Sequence, residues 1–482
     1  MAGGTWLGIE TSRRGIKVHQ NALDITGQNL ANASTPGYSR QEAVISASKP
    51  YTSPELNSSS TPGQFGTGVQ VDMIRRIKDE YLDNNVRRAT TDSGYWEDQI
   101  SVLQRAEALF AEPGTDGIST QIVDFFKTWM DLNNSPQDLG VKSAVTESGS
   151  ALATLMTSTY NQLDSIEQSV AVINGAGTDV TEGMMVDQVN QINKILTEIK
   201  DITAAIKKIY DVNQQPNDLL DKRDQLLEEL SHYGPVKVTD ESSGGKPTGG
   251  LKVDFFNQTV FEDDAGSATV ILETLDLDAS AGKILLYLDT AKTAAKMINL
   301  TDEVQVNQNT SGSLLGLESS RLDLIDYQTK LNDIAIRLRD EIAAPAALNG
   351  VFFVAGSSLA SGTFKVDPAL TNNPSTLDGT KASAVAALRD KDIAALGNST
   401  FNEYYSLLVT EVGNGAQSTD DMAANQAAIK KQITALRDSV SGVSTDEELT
   451  KMTQFQYGFQ ASSRMITVID DMLNVIINRM GV

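Results

Sequence analysis

Near the C-terminal end of the chain, Met452, Phe455, Phe459, Ile466, Ile469, Leu473, Ile476 and Met480 recur at intervals of three or four residues, with Ser462 filling one position. This is a heptad seam, and a helix that carries it lays one narrow stripe on a partner helix. A second stripe of Met465, Val468, Met472 and Val475 runs beside the first. One partner helix cannot cover both stripes, so the pattern predicts contact with neighbouring copies as well as with a partner in the same chain. That internal partner is at the other end, where Ile9, Ile16, Leu23 and Leu30 fall seven apart and are flanked by Val18, Ala22 and Ile25. The N-terminal helix is expected to stop near Ala33, because Thr35-Pro36-Gly37 is a turn sequence and a proline disfavours helix in the residue before it.

Between these ends the pattern changes twice. Residues 75–235 read as mainly helical, with Val189, Ile192, Ile195, Ile199, Ile202, Ile206 and Ile209 in step and a break at Pro216. Further helices are expected over 314–347 and 420–441. Strands are expected over 251–256, 269–275 and 283–288, with loops at 242–245 and 249–250. The predicted fold is mainly α with inserted β. The terminal helices, 1–48 and 445–482, pair as a coiled coil. A long-helix bundle domain takes 49–235 and 313–444, including a loop and short-strand segment at 351–398. A smaller β-rich inserted domain takes 236–312.

Composition narrows the function. The chain has 39 basic and 63 acidic residues, a net charge of −24. That balance repels phosphate, so neither nucleic acid nor an anionic membrane is expected as a partner. No apolar run approaches the ~20 residues of a membrane span, and the stretch around Trp6, Leu7 and Ile9 is too short for a secretory signal. The two ends are nearly neutral, which suits packing against copies of themselves; the middle carries almost all the acidity. Cysteine is absent, which excludes disulfides, thiolate metal sites and a Cys nucleophile. His19 and His232 are the two histidines, and neither has a supporting catalytic motif. Asp263-Asp264 and Asp276-Leu277-Asp278 lack the ligand spacing of a calcium loop, and no phosphate-cradling Gly-x-x-x-x-Gly-Lys run occurs. Asp420-Asp421 and Asp470-Asp471 are adjacent on helices and do not face one another. No catalytic residue, cofactor or metal is therefore expected.

Asn29-Leu30-Ala31-Asn32, followed by Thr35-Pro36-Gly37-Tyr38, resembles the N-terminal signature of flagellar rod, hook and junction proteins. The Ser39-Arg40-Gln41 that follows is more similar to the flagellar hook-associated protein 1 (FlgK-type) family. The resemblance continues through Gly66-Thr67-Gly68-Val69, Arg76, Tyr81-Leu82, 107–113, Phe125-Phe126, 133–136, 218–226 and 316–323. It closes on Ser441-Gly442-Val443, 446–448, 454–457 and 460–462, and is weakest over 236–312 and 351–398. Ala343-Ala344-Pro345 and Asn349-Gly350 depart from the family's Asn and His before a Gly-rich turn.

The resemblance implies a structural protein rather than an enzyme. It implies export unfolded through the flagellar type III apparatus and a secreted, extracellular position in the flagellum at the hook–filament junction, built by self-assembly. The implied partners are further copies of the chain, hook protein, the second junction protein and an export chaperone bound at about 440–482. A sibling axial protein, either the second junction protein or hook protein, is the alternative within the class. A secreted adhesin or hydrolase on flagellar-type ends is the alternative outside it, and would need a convergent polar site in 236–312 or 351–398. Two roles stay open for Asn29 and Asn32, local backbone capping or holding the helix exit that sets the register between subunits. The ends are expected to gain most of their order when packed against copies.

Overall fold

The computed structural model describes residues 2–49, 66–110, 117–243, 245–263, 270–289, 291–306, 311–344 and 350–479. Met480, Pro113, Thr269, Asp264 and most of the 343–350 turn lie outside them.

The chain opens with α1 (Ala2–Ala31), then an antiparallel hairpin of β1 (Gln41–Ala47) and β2 (Val69–Arg76). The long helices α2 (Glu80–Phe110), α3 (Ile118–Asn134) and α4 (Leu139–Val170) follow. After the short pair β3 (Val172–Ile173) and β4 (Val180–Glu182) come α5 (Met184–Tyr210) and α6 (Asn217–Tyr233). The β-rich segment contains β5 (Val236–Ser243), β6 (Lys246–Phe255), β7 (Gln258–Asp263) and β8 (Ile271–Leu272), antiparallel in that order. A second sheet, made of β9 (Asp276–Ser280), β10 (Lys283–Tyr287) and β11 (Met297–Asn299), has β10 at its centre. Then come α7 (Leu300–Val306), α8 (Ser313–Ala343), the short α9 (Pro368–Asn372) and α10 (Ala382–Ala386), α11 (Phe401–Ser441) and α12 (Thr445–Arg479).

The helical body is built on close crossings. A Cβ on Gly316 of α8 would strike the Tyr95 carbonyl of α2, so only glycine lets these two helices approach so far. At one end of the body, Phe125, Phe126 and Trp129 of α3 meet Phe352, Phe353 and Phe401, all of them at most 1% exposed. The rings of Trp129 and Phe352 sit edge to face at 5.3 Å, an arrangement that aromatic quadrupoles favour. This cluster ties the irregular 351–398 segment to α3 and to the start of α11.

The β-rich segment is anchored by buried charge. Arg321 of α8, 1% exposed, makes a fork to Glu318, 0% exposed, at 2.7 and 2.8 Å. The same guanidinium donates to the Gly282 carbonyl of the β9–β10 turn at 3.0 Å, and Thr301 of α7 donates to Glu318 at 2.5 Å. On its other side the segment is held by Arg223 of α6, which donates to the Gly249 carbonyl at 3.0 Å and pairs with Asp240 at 2.8 Å.

Three local expectations differ from the structure. The helix expected over 420–441 begins at Phe401, where Thr400 and Glu403 form a reciprocal capping box. Residues 242–243 and 249–250, expected as loops, lie in β5 and β6, and β7 was not anticipated. In the loop and short-strand segment expected at 351–398, the described residues form no strand, and Phe353 and Val366 make an isolated bridge.

Candidate assembly site

The terminal helices α1 and α12 run antiparallel with an unbroken register. A Cβ on Gly8 would meet Ile469 Cδ1 at 3.0 Å, one on Gly15 would meet Ser462 Oγ at 2.8 Å, and one on Gly458 would meet the His19 ring at 2.5 Å. Asn29 bonds Glu448 at the far end, so each step forward on α1 is matched by an equal step back on α12. His19 packs between Gly458 and Phe455, its ring 6.3 Å from the phenyl centroid. Burial holds the His19 imidazole below its usual pKa, in favour of the neutral form.

This geometry adds a row of small residues to the sequence reading of α1. The row that meets α12 is Gly8, Gly15, Ala22 and Asn29, with Gly15, Ala22 and Asn29 buried. The apolar heptad Ile9, Ile16, Leu23 and Leu30 lies one residue further round and is only partly buried. Small residues let the helix axes approach, and Val18 and Ile25, read from the sequence as flanking the seam, are buried beside them. On α12, Ile469 is buried at 4%, and Met452, Phe455, Phe459, Ile466 and Leu473 are partly buried. Ile476 is 47% exposed. The neighbouring stripe is bare: Met465, Val468, Met472 and Val475 are 54, 50, 46 and 44% exposed.

The signature motif sits at the base of this helix pair. Asn29, 1% exposed, holds three elements together. Its Nδ2 donates to the Gln41 carbonyl of β1 at 2.8 Å and to Glu448 Oε2 of α12 at 3.0 Å. Its Oδ1 accepts from the Gln41 N–H at 3.0 Å and from the Tyr38 hydroxyl at 2.9 Å. Burial, with the nearby charges of Asp218, Asp221 and Glu448, pushes the Tyr38 phenol well above its usual pKa and keeps it a donor. Asn32 acts locally: its Nδ2 donates to the Gln28 carbonyl one turn back at 3.0 Å, and its Oδ1 accepts from Thr35 at 3.2 Å. Within the chain, Asn29 thus bridges elements and Asn32 closes the turn. Leu30 is partly buried, Ala31 is exposed, and Thr35, Pro36 and Gly37 form an exposed turn with Gly37 at φ 76°.

Beneath the motif lies a polar joint to the helical body. Asp218, Asp221 and Asp224 share one face of α6. Asp218 accepts from Gln41 at 2.9 Å, Asp221 from the Ser39 N–H at 3.1 Å, and Arg76 of β2 reaches Asp221 and Asp224 at 2.7 and 2.8 Å. Lys78 also pairs with Asp224 at 2.8 Å. Burial raises the Asp224 pKa, but Lys78 and Arg76 outweigh it and leave the carboxyl below its ordinary range. Burial dominates at Asp221, which is raised despite Arg76. Arg40 completes the joint, its side chain on Glu447 at 2.7 Å and its N–H on the Ser441 carbonyl at 2.8 Å. Sequence reasoning missed Gln41, Arg76, Glu448 and the α6 acids as a unit. Their three-residue spacing on α6 was the available signal; their partners stand 145 to 182 positions away.

No group of three or more His, Asp or Glu positioned to hold a metal occurs among the described residues. Lys292 neutralises Asp276 and Asp278 at 2.9 and 3.0 Å, and Lys207 pairs with Asp263 at 2.5 Å. His232 lies in the last turn of α6 against Tyr233, 3.9 Å from Asp98. No helix among the described residues is long and apolar enough to cross a membrane.

The family model of the flagellar hook-associated protein FlgK helical domain matches residues 103–348. The models of the flagellar basal body rod FlgEFG C-terminal region and of the flagella basal body rod protein match 437–480 and 9–38. The chain is 27% identical over 516 residues to flagellar hook-associated protein 1 of Bacillus subtilis, covering 99% of each. It is 22% identical over 570 residues to the protein of that name from Salmonella typhimurium, covering 98% of this chain and 99% of that one. Among solved structures, the flagellar hook junction protein FlgK from Burkholderia pseudomallei is similar in fold, with a TM-score of 0.56 and 16% identity, over 74% of this chain and all of that one.

Proposed function

Because the chain belongs to the FlgK family of flagellar hook-associated proteins, structural components of the bacterial flagellum, we propose that it forms the junction between hook and filament by packing its terminal helix pair against those of neighbouring copies. The observation that carries this reading is the one-sided burial of α12. Ile469 is closed against α1 while Met465, Val468, Met472 and Val475 stay about half exposed. A contiguous apolar stripe of that kind on a folded chain marks an interaction surface. The Asn29 joint supports the same reading, since it fixes the helix pair to the body, so that packing at one end orients the whole subunit.

In this reading 1–48 and 445–482 form the assembling unit, 49–235 with 313–444 forms the helical body, and 236–312 projects from it. The chain is exported through the flagellar type III apparatus and acts outside the cell. Hook protein and the second junction protein are its axial neighbours, and an export chaperone shields 440–482 before assembly. Its role is non-enzymatic.

Met472→Asp tests the stripe. The exposed site tolerates the charge in the monomer, so the helical body should keep its thermal transition while cells lose attached filaments and shed flagellin into the medium. Wild-type motility in this variant refutes the reading.

A further inference from the structure

We propose that His19 is an acid-sensitive latch on the terminal helix pair: the neutral imidazole lets α1 and α12 close, and the imidazolium drives them apart. The inference rests on the contact between these two helices within one chain, and it stands whichever way the pair meets other copies.

The polar edge of the His19 ring is turned into the seam. It lies against the bare backbone of Gly458, where a Cβ would be 2.5, 2.6 and 2.8 Å from Cε1, Nε2 and Nδ1. Among the described residues, Nδ1 is buried and has no hydrogen-bond partner. A neutral imidazole meets this site with a lone pair on one nitrogen, whereas the imidazolium carries a proton on both. Protonation therefore leaves a buried N–H without an acceptor and adds a positive charge to the contact, two costs that closing the helices must bear and opening them relieves.

The surroundings offer that charge no anion. On α12 the charged residues between Glu448 and Asp470 are Lys451 and Arg464, both basic. Glu448 and Asp470 lie ten and twelve residues from Gly458, ~15 and ~18 Å along the helix. Tyr457 beside Gly458 is 67% exposed, and a phenol is neutral wherever histidine titrates. On α1 the nearest residues with charge are Arg13, Arg14 and Lys17, with Glu10 already held by Arg13 and Arg14 at 2.8 and 2.9 Å. Asp24 is exposed and stands five residues on, about 140° round the helix. On the hairpin, Asp72 accepts from Gln70 at 2.8 Å, and Glu42 is held by Arg75 at 3.1 Å. The lowered His19 pKa accordingly has burial as its cause. The sign follows: once the pair opens, the imidazole regains its ordinary affinity for a proton, so the open state takes one up first as pH falls and the closed state loses ground.

The test uses the full chain. Hydrogen exchange at amides 455–462, corrected for the intrinsic rate, is compared at about pH 7.5 and about pH 5.5. Protection should fall at the lower pH, by at most about tenfold for each pH unit below ~6.5, the most that one proton contributes. Amides of α8 should keep theirs, and His19→Gln should remove the pH dependence from 455–462. Unchanged protection in the wild type, or a loss that persists in His19→Gln, overturns the proposal. Should His19→Gln open the pair at neutral pH, the titration of the wild-type imidazole decides. The chain has two histidines, so ring-proton NMR follows each separately. His19 titrating below ~6.5 supports the latch, and titration at or above that value refutes it.

Discussion

Replacing Asn29 by alanine should uncouple the terminal helix pair from the rest of the chain. The side chain is 1% exposed and makes four hydrogen bonds to three partners, Gln41, Tyr38 and Glu448. Three are neutral and contribute about 1 kcal/mol each, and the bond to the carboxylate contributes about 1.5–3. Glu448 is itself 1% exposed, and among the described residues its charged partner is Lys451, at 2.9 Å. The expected cost is therefore ~4–6 kcal/mol, paired with only ~1 kcal/mol or less for Asn32→Ala, whose bonds are local and more exposed. A multidomain chain does not unfold in one step, so the assay is native-state hydrogen exchange, read at the Gln41 amide and along 448–470. Opening free energies there should fall by the stated amount, while amides of α5 and α8 are unchanged. A change at Gln41 below ~1 kcal/mol would show that the asparagine is incidental to the joint.

Two further predictions follow from buried groups. Burial raises the Asp323 carboxyl to about 6, with Asp326 and Glu411 adding to the shift and Gln99 opposing it. The folded chain thus holds this proton more tightly than the unfolded one, so stability should rise as pH falls from 7 towards 5. Each pK unit is ~1.4 kcal/mol and the site is partly exposed, so Asp323→Asn should stabilise α8–α11 packing at pH 7 by ~1–2 kcal/mol and remove that slope, read from urea midpoints across pH. Gly15→Leu should push α1 off α12 at a cost of ~1–3 kcal/mol or more, because even the first added carbon would sit 2.8 Å from Ser462 Oγ. Exchange protection along α12 reports it, and unchanged protection refutes the small-residue seam.

The seam illustrates how far the sequence could be read. On α12 the heptad of large apolar residues pointed to Phe455 and Ile469, and the structure turns both towards α1. On α1 the same rule chose Ile9, Ile16, Leu23 and Leu30, which are partly buried, and passed over the small residues that approach α12 closely. Periodicity weighs hydrophobic bulk, and close helix approach is bought with the lack of it, at Gly8 and Gly15. The helix from Phe401 was legible in Thr400 and Glu403, whose capping-box spacing precedes it. The joint of Asn29, Gln41, Asp218, Asp221 and Arg76 was not. Polar residues carry no periodic signal for partners brought together by the tertiary fold, and only their resemblance to a known motif marked Asn29 as special.

The antiparallel match of α1 with α12 has a consequence for timing. Asn29 and Glu448 are 419 positions apart, so the first helix has no mate until nearly all of the chain is available. Closing so long a loop is slow compared with the local contacts of the helical body. Folding therefore proceeds from the middle outward, and the two adhesive ends are the last part of the molecule to find each other.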